Sequence, residues 1–328
     1  MTATAASPVP RIACVIVSYN GAAWITQCLQ SLRDSRDVFL QLIVVDNAST
    51  DQTASLVRAC SDVELIATGS NLGFGRANNL GIARALQLGA EYVFILNQDA
   101  QVAPEALAKL CEQAADQPGL GILCPLQLDA QGQALDPTFL HYYLGPFAPA
   151  LLNDALLARP LQARYGVDAM PAAAWLMPRR FLEQVGGFDP LFFMYCEDDD
   201  LCNRARHHGW GIALVPAAHF FHCRGFHGQL SRESRRGQFN RRRSRLRSSL
   251  IRQIKHPAGG FAKNCWQALV VQGLAGLSAL LAHLDWIEAL AVVAALLKVA
   301  SELPRLASHR RQCQQGGALW LGPPVESR

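Results

Sequence analysis

Leu42-Ile43-Val44-Val45-Asp46-Asn47-Ala48-Ser49-Thr50-Asp51 is the stretch that decides the fold. Four apolar residues run straight into a carboxylate, and turn and helix-cap residues follow. The pattern reads as a buried strand, a turn and a helix start. Capping accounts for Ser49, Thr50 and Asp51. It does not account for Asp46, which stands at a strand's carboxyl end, where open α/β sheets bind ligands.

The same pattern repeats on both sides. Upstream, the β-branched run Ile12–Val17 ends in Ser18-Tyr19-Asn20, and Trp24–Leu32 has helical spacing. Downstream come a helix from about Asp51 to Cys60, a strand Val63–Ala67, and a helix Gly75–Leu88 stopped by Gly89. A strand Tyr92–Leu96 and a helix Pro104–Ala115 follow, and Ile122–Leu123 opens a fifth strand. Such alternation predicts an α/β fold: a doubly wound, mostly parallel sheet covered on both faces. Gln127–Tyr165, with four prolines, reads as a variable surface excursion. Order returns with Ala172–Met177, a short helix from Arg179, a helix from Glu197 to Gly209 and a last strand Ile212–Val215.

The chain has 328 residues, half of them hydrophobic, enough for one catalytic domain and an appendage. A net charge of +4 is too small to imply nucleic-acid binding. Nine arginines fall between Arg232 and Arg252, and two apolar helical stretches follow, Cys265–His283 and Trp286–Ala300. Ten cysteines without a C-x-x-C pair exclude zinc knuckles and suit a reducing compartment. Residues 1–10 are small and polar; they read as a disordered N-terminus with no signal peptide.

Four further segments carry chemistry. Asn71-Leu72-Gly73-Phe74-Gly75-Arg76-Ala77-Asn78-Asn79 has a G-x-G spacing after the third strand. A dinucleotide fingerprint follows the first strand, so nicotinamide binding is rejected. The segment either admits a sugar or phosphate to backbone N–H groups or simply packs a helix closely. Asn97-Gln98-Asp99 ends the fourth strand. With a later histidine, Asp99 becomes a candidate ligand for Mg²⁺ or Mn²⁺ on a diphosphate. Glu197-Asp198-Asp199-Asp200 follows the aromatic run Phe192–Tyr195. One of these acids can deprotonate a hydroxyl, and another can open a helix. His219-Phe220-Phe221-His222 reads first as packed histidines among aromatics. Only the position of His222, after the last strand and an acid motif, raises it to a metal ligand.

In this order, VSYN, VDNASTD, NLGFGRANN, LNQDA, GGFD, EDDDL and the final His resemble the family 2 glycosyltransferases. The likeness is to their bacterial rhamnosyltransferase branch and covers Arg11 to about Gly225. It implies a GT-A fold, a nucleotide-diphosphate sugar such as a dTDP- or UDP-sugar, Mg²⁺ or Mn²⁺, and inversion at the anomeric carbon. By matching position, Asp46 and Asn20 line the nucleoside pocket, with Ser18, Asn47, Gly73, Asn78 and Asn97 completing the donor site. Asp99 and His222 hold the metal. Asp198 is the general base, with Glu197 as its neighbour. Three departures stand out: Asn97 opens the metal motif, Asp199 replaces an apolar residue, and Trp175 is bulky beside the acceptor.

Resemblance and composition together divide the chain into a catalytic domain over 11–228, a basic segment over 229–256 and an apolar helical pair with a tail over 257–328. Within the first, 11–125 is the nucleotide-binding half and 165–228 the acceptor half. The resemblance implies a role in cell-surface polysaccharide synthesis, with a glycan or lipid-linked acceptor. Arginines beside apolar helices suit an anionic membrane surface, at the inner face of the cytoplasmic membrane. The same helices also suit packing on the catalytic domain or in a homodimer. Three other functions compete. A processive synthase needs several clear membrane spans and a Q-x-x-R-W-like element, and the sequence shows neither. A sugar nucleotidyltransferase needs a basic Gly-rich loop after the first strand, which Ser18-Tyr19-Asn20-Gly21 lacks. A non-catalytic membrane scaffold has no use for an acid cluster ordered after a metal motif.

Overall fold

The computed structural model describes residues 9–223, 235–271, 273–274 and 286–322. Most of the N-terminal ten residues, the start of the basic segment, much of the first apolar stretch and the last six residues lie outside these.

Among the described residues one sheet has nine strands: β1 Arg11–Ser18, β2 Phe39–Asp46, β3 Val63–Ala67, β4 Tyr92–Asn97, β5 Ala100–Val102, β6 Leu120–Leu128, β7 Tyr165–Gly166, β8 Ala174–Pro178 and β9 Gly211–His222. Their order is β3-β2-β1-β4-β8-β6-β9-β5, with β7 on β9. The first four pair in parallel. β8 is antiparallel to both β4 and β6, and β9 is parallel to β6. The sheet is therefore mostly parallel, and Ser18, Asp46, Asn97, Leu128 and His222 end strands along one edge.

Each strand serves two cores because side chains alternate across it. Ala13, Val15, Ile43, Val45 and Ile95 face one core; Ile12, Cys14, Ile16, Val44 and Phe94 face the other. Helix α1 (Ile25–Arg33) buries Ile25, Cys28, Leu29 and Leu32, the stripe its spacing promised. Helices α2 (Thr53–Arg58), α3 (Phe74–Gln87) and α4 (Ala106–Asp116) complete the layers. In α3, a Cβ on Gly81 would lie 2.2 Å from Val15 Cγ1, so glycine lets this helix rest on β1.

The proline-rich excursion is not a surface loop. It folds into α5 (Pro137–Phe139), a π-helical turn (Leu140–Leu144), α6 (Gly145–Phe147) and α7 (Pro149–Leu156). Phe139, Leu144, Ala148 and Leu151 are buried in the same core as Trp175. Three of its four prolines, Pro137, Pro146 and Pro149, open helices, where a missing N–H costs nothing, instead of marking coil.

Helices α8 (Arg179–Val185) and α9 (Glu197–His207) precede β9. The C-terminal region is helical: α10 (Arg235–Lys255), α11 (Phe261–Trp266) running into a π-helical turn (Gln267–Val271), α12 (Trp286–Ser301) and α13 (Leu303–Gln315). Leu250, Ile251 and Ile254 of α10 pack with Ala295, Val299 and Leu306, and with Leu191 and Phe192 of the catalytic part. The basic helix is thus built onto the segment that leads into the acid cluster. No helix among the described residues is long and apolar enough to cross a membrane.

Candidate active site

The strand ends at one edge of the sheet line a cleft. A cavity of about 850 Å³ is bounded by Tyr19, Asn20 and Trp24, by Asn97, Gln98 and Asp99, and by Glu197, Asp198, His222 and Arg245. An adjoining cavity of about 250 Å³ shares Asn97, Gln98 and Asp99 with it and adds Asn47, Asn71 and Gly73.

Sheet pairing brings Asp99 and His222 together across 123 residues of chain. The chain doubles back after Asp99 into β5, whose Ala100 pairs with His222 in antiparallel register. Cys223 N donates to the Asp99 carbonyl at 2.7 Å. His222 Nε2 then lies 3.3 Å from Asp99 Oδ1. On the other side of the ring, Nδ1 lies 2.7 Å from Gln127 Nε2. An imidazole held on its far nitrogen and facing a carboxylate fits a divalent cation with few protein ligands.

A second group of metal-type side chains, Asp189, Asp200 and Cys313, is not such a site. Lys255 occupies it: its ammonium donates to Asp200 Oδ1 at 2.9 Å and to Asp189. Burial works against the charge on Lys255, but Asp200 and Asp189 outweigh it and hold its pKa above the ordinary lysine value. Burial likewise works against Asp189, yet Lys255 and His309 keep it well below the usual carboxylate range. Arg204 pairs with Asp200 as well, at 3.1 Å.

The acid cluster splits by role at this point. Asp200 is consumed by the buried pairs, and Asp199 turns toward Arg252, 3.6 Å away. Glu197 and Asp198 alone reach the cleft. Burial first, then the neighbouring carboxylates, raises Asp198 to about 6 and Glu197 to about 8. Glu197 Oε2 is buried without a hydrogen-bond partner among the described residues. The turn before them is strained: Tyr195 and Cys196 have φ of 72° and 63°. Helix α10 holds that turn, since Ser248 Oγ donates to the Met194 carbonyl at 2.9 Å and Arg247 to that of Leu191 at 3.1 Å.

The donor-side residues fall into three groups. Asn47, Gly73 and Asn97 line the cavities, and Asn20 lines the larger one. Asn20 Oδ1 accepts from Thr50 N at 2.8 Å, tying the ends of β1 and β2 together. Ser18 and Asp46 lie just beneath. Ser18 Oγ donates to Gln98 Oε1 at 2.6 Å, and Asp46 is buried at the end of β2, accepting from Ser49 N at 3.3 Å. Asn78 does not reach the cleft. It is 1 % exposed, and its amide donates to the Phe74 carbonyl one turn back in α3. Gly75 serves packing, since a Cβ there would meet Phe188 Cβ at 2.8 Å.

Trp175 is also misassigned by sequence. It points into the core, stacked on Phe188 at 6.1 Å, while Ala172 and Ala173 line the cleft. Sequence reasoning missed Gln98, Gln127 and Arg245. The signal for Gln127 was present: a lone amide inside the apolar run Leu123–Leu128. Arg245 had none, because nine arginines share its stretch and only the fold brings one to the cleft, 4.8 Å over the Tyr195 ring.

The sequence profile described as Glycosyl transferase family 2 matches residues 13–166, a range that includes Ser18, Asp46 and Asp99. An N-acetylglucosaminyl-diphospho-decaprenol L-rhamnosyltransferase of Mycobacterium tuberculosis is 31% identical over 228 residues, 63% of this chain and 74% of the relative. The chain belongs to glycosyltransferase family 2. The rhamnosyltransferase WbbL of Escherichia coli is 26% identical, covering 63% of this chain and 81% of its own. Among solved structures, a Pyrobaculum calidifontis mannosyltransferase, in complex with GDP-mannose and Mn²⁺, superposes with a TM-score of 0.52 at 19% identity, covering 95% of this chain and 85% of that one. GalNAc-T7, with UDP, GalNAc and Mn²⁺, gives 0.58 at 16% identity over 75% of this chain and 48% of its own. These two establish the fold as GT-A. The protein is a rhamnosyltransferase-like family 2 glycosyltransferase of polysaccharide synthesis.

Proposed function

We propose that this glycosyltransferase moves a sugar, rhamnose by likeness to its relatives, from a nucleoside-diphosphate donor to a hydroxyl of a glycan or lipid-linked glycan, with inversion. The observation that carries the reading is one cleft holding Asp198, Asp99 and His222 together. A divalent cation held by Asp99 and His222 would neutralise the charge of the leaving diphosphate. Asn20, Asp46 and Asn47, with Gly73 and Asn97, hold the donor over the edge of the sheet. A dTDP- or UDP-sugar suits this arrangement. Asp198 takes the acceptor proton as the hydroxyl attacks opposite the leaving group. Glu197, held neutral by burial, keeps a second negative charge away from Asp198. Arg245 offers a cation at the rim of the cleft.

The test is nucleoside-diphosphate release from a panel of nucleotide sugars, with Mg²⁺, with Mn²⁺ and with chelator. Release requires metal. Asp99→Ala and His222→Ala each raise the metal concentration for half-maximal rate by at least about 10–100-fold, the cost of losing even an outer partner of a metal ligand. Full activity in chelator contradicts the metal assignment.

Membrane attachment belongs to the same proposal. Leu290, Val293 and Leu297 recur at helical spacing on α12 and are exposed, as are Trp266, Val271 and Leu274. Arg236, Arg241 and Arg243 of α10 are exposed as well. An apolar ridge beside cations fits peripheral docking at an anionic inner leaflet. Only part of the arginine cluster is available for this, because Arg247 pairs with Glu302 at 2.7 Å and Arg252 faces Asp199. Truncation after His256 is a poor test, since it removes His309 and Trp320 from the buried network. Instead, full-length protein floats with anionic liposomes at low salt, and a Leu290→Gln/Val293→Gln/Leu297→Gln variant stays in the soluble fraction. Equal flotation of the two assigns this ridge elsewhere.

A further inference from the structure

We propose that Gln127 is a positioning residue whose side-chain amide sets the tautomer of His222 and turns over when a divalent cation binds. The inference rests on the metal reading above and concerns a residue that reading does not use.

Gln127 sits near the end of β6, opposite Phe220 of β9 in parallel register. It is completely buried. Its Nε2 lies 2.7 Å from His222 Nδ1, and its Oε1 has no hydrogen-bond partner among the described residues. A short contact between an amide and a ring nitrogen needs one donor and one acceptor. With Nε2 donating, Nδ1 must be the acceptor. The ring proton then sits on Nε2 and points to Asp99 Oδ1, 3.3 Å away. That arrangement is consistent without a cation, because an N–H faces a carboxylate.

A cation between Asp99 and His222 reverses the requirement. Nε2 must offer its lone pair, so the proton must move to Nδ1. An amide N–H cannot face an N–H. The Gln127 amide must therefore turn so that Oε1 accepts from Nδ1–H, as the outer partners of metal-bound histidines do. Amide nitrogen and oxygen have nearly the same shape, so the turn needs no extra space. What His222 faces then decides between the two orientations. Burial leaves no solvent to substitute for the amide, so Gln127 alone can provide both settings.

The expected effects follow from which partner survives. Gln127→Leu removes the acceptor for Nδ1–H and weakens Mn²⁺ binding by about 10–100-fold. Gln127→Glu keeps an acceptor permanently in place and retains affinity within a few-fold of wild type. Binding is read without activity, as loss of the free-ion EPR signal when full-length protein is titrated with Mn²⁺, alone and with dTDP. A structural role would be disturbed by both variants alike; rescue by glutamate is peculiar to the acceptor function. Long-range ¹H–¹⁵N spectra of histidine-labelled protein, assigned with His222→Ala, give the second readout. Wild type carries its His222 proton on Nε2 in chelator and on Nδ1 with Mg²⁺. If wild type binds no Mn²⁺ at all, the metal reading fails and the proposal with it. If wild type and Gln127→Leu bind equally, or if the tautomer is the same with and without Mg²⁺, the metal reading stands and the role of Gln127 is overturned.

Discussion

Asp198→Asn is expected to lower transfer by about 10²–10⁴-fold while donor affinity changes little, the usual loss when a general base is removed. Of the Glu197–Asp200 cluster, Asp198 is one of two acids that reach the cleft, and the other, Glu197, has its pKa raised further. Near neutral pH Asp198 is therefore the acid that is ionised and able to accept a proton. A base acts only when deprotonated, so the wild-type rate falls as pH drops through the raised Asp198 value of about 6. It is level from there until Glu197 ionises, near its raised value of about 8. The variant loses this acidic limb together with its rate. Single-turnover kinetics with saturating donor measure both. Transfer at the wild-type rate by Asp198→Asn removes the residue from the role, and Glu197→Gln is then the variant to make.

The second large effect is on stability. Lys255→Met leaves Asp189 and Asp200, both buried, without their shared ammonium. Arg204 still serves Asp200, and His309 still serves Asp189, but one charge is uncompensated. Breaking a buried pair from one side costs about 3–5 kcal/mol. At about 2–4 °C per kcal/mol for a domain of this order of size, the melting temperature falls by roughly 10 °C. Lys263→Met, at an exposed position of α11, is the control and shifts melting by little. Because α10 also holds the turn before Glu197, activity is lost with the fold in the Lys255 variant. A change in melting of less than 2 °C would mean that the C-terminal helices do not brace the acid segment.

Periodicity made the nucleotide-binding half legible. In the stretches around Val15, Val44 and Ile95, β-branched runs alternate with helical stripes, and local pattern suffices when each strand is followed by its own helix. The antiparallel insertion of β8 between β4 and β6 was not legible, since a five-residue apolar run carries no direction. Nor was the burial of Phe139 and Leu144, because prolines in first turns look like prolines in coil. The cleft brings together Asp99, Asp198 and His222, which the sequence singles out separately: Asp99 and His222 as polar groups beside strand ends, Asp198 as an acid at a helix start. Asn78 misled for the opposite reason: an amide in a helix's first turn serves packing and the backbone as readily as a ligand. Asp200 and Asp198 are neighbours in sequence and look alike. Only the fold assigns one to Lys255 and the other to the cleft.

The central claim is direct displacement in a single cleft, with Asp198 taking the acceptor proton. The anomeric configuration of the product tests it most directly, read by NMR after transfer from a nucleotide sugar of defined configuration in the presence of Mg²⁺. The account predicts a product of opposite configuration to the donor, formed without a covalent sugar–protein adduct. Retention of the donor's configuration would contradict it.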